Sequence, residues 1–306
     1  MMRVLVFGAG AVGIYYGLKL HDAGCQLCFV CRSDYESVKQ SGFVLHHEDM
    51  QISYKLPIIK HVSDYFSYFS EYPDLILVAT KALPHIDLPA LLRPVMGSDT
   101  VLLLIQNGLG IENALSQAFK NNLLLSTVAF SCLNRTLPGQ VRYLGFNRLT
   151  IGAFPDAQVP LFAKRLKILF EDQQVAVKLS ASMQKERWKK LLWNVPFNGL
   201  SVLAGSLTTA DLLASTTYVE KIYQIMKEVQ VLAEQEGILL EDTLIDANIK
   251  ETRDKMGAYK TSMLLDYEAG RVLEVDALYG ELLSRAKKYH LKLPCIETLY
   301  QGLLSV

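Results

Sequence analysis

The chain of 306 residues is long for a single hydrophobic core, so two domains are expected. Its formal net charge is +0 and charged residues make up 20% of it, which argues against an extended nucleic-acid surface and against disorder. Hydrophobic residues make up 50%, but no continuous apolar run is long enough to span a bilayer, and three glycines interrupt the apolar N-terminus. We therefore expect a soluble cytoplasmic protein that binds neither nucleic acid nor a membrane.

The first predicted element is a strand that leads into a glycine-rich turn and then a helix. Residues 3–7 are an apolar run, and residues 8–13 read G-x-G-x-x-G before a helical pattern that begins at Ala11. In this context the first glycine makes the turn, the second lets a pyrophosphate approach the backbone, and the third lets the helix pack on the strand. The alternative is an ordinary glycine-rich turn. The predicted cofactor-binding loop comprises Gly8, Ala9, Gly10, Ala11, Val12 and Gly13.

The second predicted strand, residues 26–31, ends directly before Arg32. Near this point of a dinucleotide-binding fold an acidic residue accepts the ribose 2′-hydroxyl of NAD, whereas an arginine can pair with the 2′-phosphate of NADP. Arg32 therefore favours NADP(H) as the cofactor. Two alternatives stay open: Arg32 is a solvated side chain at a strand end, or Asp34 turns inward and weakens the preference.

Three of the five cysteines, Cys25, Cys28 and Cys31, have a spacing that also occurs in metal and cluster sites. They flank or lie in the second predicted strand, where residues three apart point to opposite faces. They cannot converge on one ion while that strand exists. We expect buried thiols and no metal site.

Two further predicted strands end in loops with polar side chains. The strand at residues 75–78 is followed by a turn that contains Lys81, and the strand at residues 100–105 is followed by Asn107 between glutamine and glycine. Ligands of a doubly wound sheet bind outside the carboxyl ends of its strands. We expect Lys81 to reach the cofactor and Asn107 to contact nicotinamide or substrate; for Asn107, the alternative is a simple Asn-Gly turn.

The character of the chain changes near residue 180, where glycines and β-branched runs give way to long helical patterns. Before it, we expect a strand at residues 123–130 that ends at Cys132, and a closing hairpin formed by residues 139–144 and 149–152. The fold class is α/β, with a Rossmann-type doubly wound parallel sheet followed by an all-helical domain. The predicted domains are residues 1–179, which bind NADP, and residues 180–306, which bind the substrate.

A polar line runs along the helix predicted at residues 184–201. Lys190, Asn194 and Asn198 are four residues apart, so they share one face, and apolar residues occupy the neighbouring faces. Polar side chains on an otherwise buried helix need partners, which a bound substrate can supply. The alternative is a polar surface stripe.

Six motifs, in the same order and across nearly the whole chain, resemble the ketopantoate reductase family. They are GAGAVG at residues 8–13, TKA at Lys81, QNGLG at Asn107, WKKLLWNVPFN from Trp188 to Asn198, SM at Ser262 and LEVDALYGELL with Glu274. The resemblance implies NADPH-dependent reduction of 2-dehydropantoate to pantoate, a step of pantothenate and coenzyme A biosynthesis.

The same resemblance implies a role for each matching residue. Lys190 and Glu274 correspond to catalytic residues, and Glu274 also lies beside the nicotinamide ribose. Asn107 corresponds to the asparagine between nicotinamide and substrate, and Cys132 to a backbone contact with the cofactor. The implied substrate-binding residues are Asn107, Asn194, Asn198, Thr208 and Ser262.

Two positions depart from the family pattern. Thr208 is nearest to a further family asparagine, and Gly199 stands where proline is common. Both changes are expected on the substrate side, so a different 2-oxo acid stays open as the substrate. A non-catalytic NADP(H)-binding sensor is a third hypothesis, against which the retained lysine, asparagines and glutamate argue. The apolar faces of the C-terminal helices would suit a homodimer.

Overall fold

The computed structural model describes residues 1–306, and the chain divides into two structural units. The first unit comprises Met1–Lys81, His85–Gln106 and Ile111–Met183. The second comprises Gln184–Val306 together with two short loop segments, Ala82–Pro84 and Asn107–Gly110. The loops that follow two strands of the first unit are thus counted with the helical unit.

A ten-stranded sheet forms the centre of the first unit. Its strands are β1 (Arg3–Phe7), β2 (Gln26–Val30), β3 (Phe43–His47), β4 (Met50–Tyr54), β5 (Ile58–Ile59), β6 (Leu75–Val78), β7 (Val101–Leu104), β8 (Leu124–Leu137), β9 (Gln140–Ala153) and β10 (Ala176–Leu179). The spatial order is β4-β3-β9-β8-β7-β6-β1-β2-β5, and β10 pairs with β9. The run from β8 to β5 is parallel throughout, which confirms the predicted Rossmann-type sheet.

The parallel strands are buried on both faces, as expected for a sheet covered by helices. Along β1, Val4 and Val6 belong to one hydrophobic cluster, and Leu5 and Phe7 belong to another. Alternate residues of β1 therefore pack into two separate hydrophobic clusters. The helices of this unit are α1 (Ala11–Asp22), α2 (Tyr35–Ser41), α3 (Leu88–Leu92), α4 (Asn113–Ala118) and α5 (Leu161–Glu171).

The cysteines around β2 follow the same alternation. Cys25 and Cys31 lie in one of these clusters and Cys28 lies in the other, and all three are buried thiols. Burial raises the pKa of the Cys28 and Cys31 thiols to about 12. The prediction that the three side chains point to opposite faces is confirmed.

The hairpin formed by β8 and β9 differs from the prediction. Except for Gly139 in the turn, its two predicted arms, residues 139–144 and 149–152, are both parts of β9, and the antiparallel partner β8 is equally long. Gly139 closes the turn with φ +73°, which glycine adopts without strain. Gly145, opposite Cys132, has φ +139° beside a shift in the pairing register. The prediction placed the turn of a hairpin between residues 144 and 149, where the structure has this bulge within one strand.

The second unit is built from helices. They are α6 (Met183–Leu203), α7 (Thr209–Ala214), α8 (Thr216–Gln235), α9 (Leu244–Lys255), α10 (Ser262–Glu268), α11 (Glu281–Lys288) and α12 (Pro294–Leu304). A π-helical turn, Asp276–Gly280, directly precedes α11. Trp188 and Leu192 of α6 lie in the shared core of these helices. The chain contains no helix with the length and apolar character needed to cross a membrane.

Candidate active site

The three glycines after β1 differ in the space that a side chain would meet at each position. A Cβ at Gly8, where φ is +112°, would lie 2.7 Å from the backbone nitrogen of Thr80, and a Cβ at Gly13 would lie 1.9 Å from the carbonyl oxygen of Gly8. A Cβ at Gly10 would meet no atom within 4 Å. The fold itself therefore requires Gly8 and Gly13, whereas the space above Gly10 is open to a ligand.

The same loop leaves a helix N-terminus available for an anion. Gly10 is the N-cap of α1 and supplies no side-chain cap, and the first turn of α1 carries no acidic residue. The unsatisfied N–H groups and the helix dipole at such an end favour a phosphate. The residues of this loop thus fit the pyrophosphate of a dinucleotide.

The residues directly after β2 include an exposed arginine and a buried carboxylate. Arg32 is exposed, whereas Asp34 is buried and forms an ion pair with Arg135 of β8 at 2.6 Å. Ser33 Oγ donates a further hydrogen bond to Asp34 Oδ1 at 3.0 Å. Arg135 and Ser33 therefore engage Asp34 Oδ1, the buried Oδ2 has no hydrogen-bond partner, and the Arg32 guanidinium is accessible.

The remaining predicted cofactor contacts also belong to the first unit: Lys81 lies just after β6, whereas Cys132 lies inside β8, which continues past the predicted strand end to Leu137. Lys81 is half-buried and follows Thr80, whose carbonyl oxygen accepts a hydrogen bond from Gln106 Nε2 at 2.9 Å. Cys132 is buried in β8, next to Ser131, which is hydrogen-bonded to Tyr16 of α1.

Within the second unit, one face of α6 carries four polar residues. Arg187, Asn194 and Asn198 are buried and Lys190 is half-buried. Lys190 Nζ donates a hydrogen bond to Asn107 Oδ1 at 2.7 Å. The structure therefore brings together the lysine and the loop asparagine that lie 83 residues apart in the sequence.

Glu274 lies close enough to act on the same lysine. Its Oε1 accepts a hydrogen bond from the backbone N–H of Ala82 at 2.8 Å, and its negative charge raises the pKa of Lys190. Two effects outweigh it: burial and the positive charge of Arg187 lower the pKa of Lys190 from 10.5 to about 8. Lys190 is consequently charged at neutral pH but gives up its proton more easily than an ordinary lysine.

Asn198 has a buried acceptor that the protein leaves unsatisfied. Its side chain is 2% exposed, and its Oδ1 has no hydrogen-bond partner. A buried acceptor in this state costs about 1–3 kcal/mol unless a ligand supplies a donor. A substrate hydroxyl would satisfy it.

These features coincide with matches to known proteins over nearly the whole chain. Residues 4–156 match the family model described as ketopantoate reductase PanE/ApbA, and residues 182–305 match the model of its C-terminal domain. The chain belongs to the ketopantoate reductase family. It is therefore an oxidoreductase of that family, as the sequence motifs predicted.

Individual relatives agree with this assignment. The 2-dehydropantoate 2-reductase of Nostoc sp. is 33% identical, with 98% of this chain and 94% of the relative covered. The crystal structure of 2-dehydropantoate 2-reductase from Geobacter metallireducens matches with a TM-score of 0.91 and 30% identity, over 99% of each chain. A D-mandelate dehydrogenase solved with NADH and anilino(oxo)acetate shares the fold, with a TM-score of 0.87, 23% identity, and coverage of 99% of this chain and 98% of that one.

Two of the predicted substrate-binding residues lie where helices begin. Ser262 is exposed as the first residue of α10, directly after the N-cap Thr261, which is hydrogen-bonded to Ser201 of α6 at 2.8 Å. Thr208 caps α7, and its hydroxyl donates to Asp211 at 2.6 Å. The Thr208 hydroxyl is thus already engaged by the protein, at the position where the family pattern offers an amide.

The sequence reading missed Arg187 and Tyr279. Arg187 lies three residues before Lys190, on the face already identified, so the spacing that selected the asparagines also marks it. Tyr279 is fully buried in the π-helical turn and donates a hydrogen bond to the carbonyl oxygen of Val195 at 2.9 Å. No sequence signal separates Tyr279 from an ordinary core aromatic residue.

Tyr279 also provides a packing reason for the glycine at position 199, where proline is common in the family. A Cβ at Gly199 would lie 2.8 Å from the Tyr279 hydroxyl oxygen. We expect Gly199→Ala to lower the free energy of unfolding by about 1–3 kcal/mol through overpacking. Tyr279→Phe, which removes that oxygen, should recover part of the loss in the double variant. Urea denaturation of the two single variants and the double variant measures this; strictly additive losses would contradict the proposed contact.

Proposed function

We propose that this protein is an NADPH-dependent 2-dehydropantoate 2-reductase, acting in pantothenate and coenzyme A biosynthesis. The observation that carries the proposal is the half-buried Lys190 ammonium, hydrogen-bonded to Asn107 and poised with a pKa of about 8, in a chain of the ketopantoate reductase family. In this proposal residues 1–179 bind the cofactor and residues 180–306 bind the substrate.

The residues that would hold the cofactor are those of the glycine loop and the end of β2. The open approach to Gly10 and the uncapped N-terminus of α1 support a pyrophosphate site. The exposed Arg32 supports a 2′-phosphate contact, and the ion pair with Arg135 partly neutralises the Asp34 carboxylate, which would otherwise favour a ribose hydroxyl. We further propose that Lys81 and the backbone at Cys132 contact the cofactor.

When bound, NADPH would supply the hydride for the C2 carbonyl carbon of the 2-oxo acid. The work of the protein is to neutralise the negative charge that then develops on the carbonyl oxygen. Lys190 donates its proton to that oxygen, which yields the 2-hydroxy acid and leaves a neutral amine to be reprotonated from solvent. A pKa of about 8 favours this transfer, because the donor is charged at neutral pH and its proton is not held strongly.

The neighbouring side chains would orient the substrate for this transfer. Asn107 accepts a hydrogen bond from Lys190 and so directs the ammonium group. Asn194 and Asn198 lie one and two turns further along the same face of α6, where the unsatisfied Oδ1 of Asn198 suits the hydroxyl of 2-dehydropantoate. We propose Ser262 as a carboxylate contact. Holding the reacting groups in place accounts for a large part of the barrier reduction in such reactions.

A second candidate is reduction of a different 2-oxo acid by the same residues. Thr208 favours it, because its hydroxyl is engaged with Asp211 and is less available to a substrate than the family amide. The catalytic group is unchanged in this alternative, and only the distal part of the substrate differs.

The direct test follows the absorbance of NADPH with purified protein and 2-dehydropantoate, beside a panel of 2-oxo acids that includes pyruvate, 2-oxoisovalerate and phenylglyoxylate. The proposal expects kcat/KM for 2-dehydropantoate to exceed that of each other acid by at least about tenfold. Turnover of another acid alone would replace the substrate by the second candidate. Binding of NADPH without turnover of any acid would contradict a reductase.

The cofactor assignment makes its own prediction. Arg32→Ala should raise KM for NADPH about 10- to 100-fold, because one charge-assisted hydrogen bond to phosphate contributes about 1.5–3 kcal/mol, and should leave KM for NADH nearly unchanged. Arg142→Ala, at another exposed arginine of the first unit, is the matched control and should affect neither. An equal loss for both cofactors in Arg32→Ala would contradict a 2′-phosphate contact.

A further inference from the structure

Arg187 is a buried cation with no role in the proposed proton transfer itself. It is 5% exposed and lies three residues before Lys190 on α6, so the two side chains are neighbours on one helix face. Two positive charges on one buried face repel each other, and a fold tolerates this only where other contacts hold them.

One such contact joins Arg187 to the loop that orients Lys190. Arg187 Nη1 donates a hydrogen bond to the carbonyl oxygen of Gly108 at 3.3 Å, and the preceding residue is Asn107, the acceptor of the Lys190 hydrogen bond. Gly108 is itself closely packed, since a Cβ there would lie 2.7 Å from the carbonyl oxygen of Ala277. The guanidinium is therefore hydrogen-bonded to a closely packed position of the loop that carries Asn107.

The charged groups that act on Lys190 come from two elements. Arg187, on its own helix, disfavours the ammonium form, and Glu274, which precedes the π-helical turn, favours it. The third element in contact, the loop after β7, contributes the neutral amide of Asn107. Because the guanidinium stays charged at every accessible pH, its effect on Lys190 is constant.

We propose that Arg187 is a positioning residue for proton transfer: held by the Gly108 carbonyl, its guanidinium keeps a permanent positive charge beside Lys190 and makes the Lys190 ammonium a readier proton donor. The catalytic consequence rests on the proposed function, but the charge effect exists in the protein alone. The two can therefore be tested separately.

The test measures the proton affinity of Lys190 in the unliganded protein, from the pH dependence of its acetylation as read by peptide mass spectrometry. Arg187→Gln can keep a hydrogen bond to Gly108 but loses the charge, and it should raise the pKa of Lys190 by about one unit. Arg187→Lys keeps the charge and should leave that pKa within about 0.3 units of the wild-type value. Arg187→Met serves as a second neutral variant where the glutamine variant is unstable.

Lys189→Gln is the matched control. It removes the same charge one residue from Lys190, but from a side chain that is 29% exposed and pairs with Glu186 at 3.7 Å, so solvent screens it. The proposal expects no shift in this variant. Equal pKa values of Lys190 in Arg187→Gln and Lys189→Gln, or equal shifts in Arg187→Gln and Arg187→Lys, would overturn it.

The pH profile of kcat/KM connects the inference to catalysis. In Arg187→Gln the decline of reduction at high pH should move upward by the same amount as the labelling pKa, which a merely structural role would not produce. Absence of turnover in the wild-type protein would contradict the proposed function alone, because labelling does not require turnover. An unshifted labelling pKa in a catalytically active protein would contradict the role of Arg187 alone.

Discussion

Replacement of Lys190 by methionine is expected to lower kcat/KM for 2-oxo acid reduction by about 10³-fold, because the developing alkoxide loses its proton donor. Binding of NADPH should change little, since the predicted cofactor contacts of the first unit are untouched. The melting temperature should stay the same or rise, because burial disfavours the ammonium that the variant removes. Steady-state kinetics, NADPH fluorescence titration and thermal unfolding measure the three quantities.

Two controls separate proton donation from the loss of a charge. Lys189→Met alters the neighbouring half-buried lysine, which pairs with Glu186, and should retain wild-type kinetics. Wild-type reduction should fall about tenfold per pH unit above a pH of about 8, because only the ammonium form of Lys190 can donate. A Lys190→Met variant with more than about a tenth of wild-type activity would contradict the assignment of Lys190 as the donor.

The second large effect is expected at the glycine loop, residues 8–13. Two glycine-to-alanine substitutions there should differ, because one lowers stability and the other lowers cofactor affinity. Gly13→Ala places a Cβ 1.9 Å from the Gly8 carbonyl oxygen, so the backbone must move and the free energy of unfolding should fall by about 3 kcal/mol or more. Gly10→Ala meets no protein atom within 4 Å and should change stability by less than about 1 kcal/mol.

For cofactor affinity, measured on folded protein, we expect Gly10→Ala to have the larger effect of the two substitutions. The Cβ of Gly10→Ala occupies the space through which the pyrophosphate would approach, so we expect the Kd for NADPH to rise at least about 30-fold. Urea denaturation and fluorescence titration of the two variants give stability and affinity independently. A Gly10→Ala protein that binds NADPH as tightly as the wild type would contradict the pyrophosphate site.

The sequence predicted those features that depend on local periodicity or backbone freedom. The opposite faces of the cysteines around β2, the open turn at Gly10 and the shared face of Lys190 and Asn198 all follow from spacing alone. The resemblance then selected Asn107 as a partner of the same site, and the hydrogen bond from Lys190 is consistent with that choice.

Features that depend on contacts between distant segments were beyond the sequence. The bulge opposite Cys132 exists because β8 continues past it to pair with β9, which no local pattern specifies. The packing of Gly199 against Tyr279 joins residues 80 positions apart, and the ion pair of Asp34 with Arg135 joins residues 101 apart. These contacts explain features at Cys132, Gly199 and Asp34 that the sequence alone could not explain.

The most direct test of the account is deuterium transfer from NADPH to the product. The protein is incubated with 2-dehydropantoate and NADPH deuterated at C4, with the 4R and 4S forms in separate reactions, and the product is analysed by mass spectrometry and NMR. We expect pantoate with deuterium on C2 from one of the two forms, formed about 10³-fold more slowly by the Lys190→Met variant. Pantoate without deuterium at C2 from either form, or no pantoate at all, would contradict it.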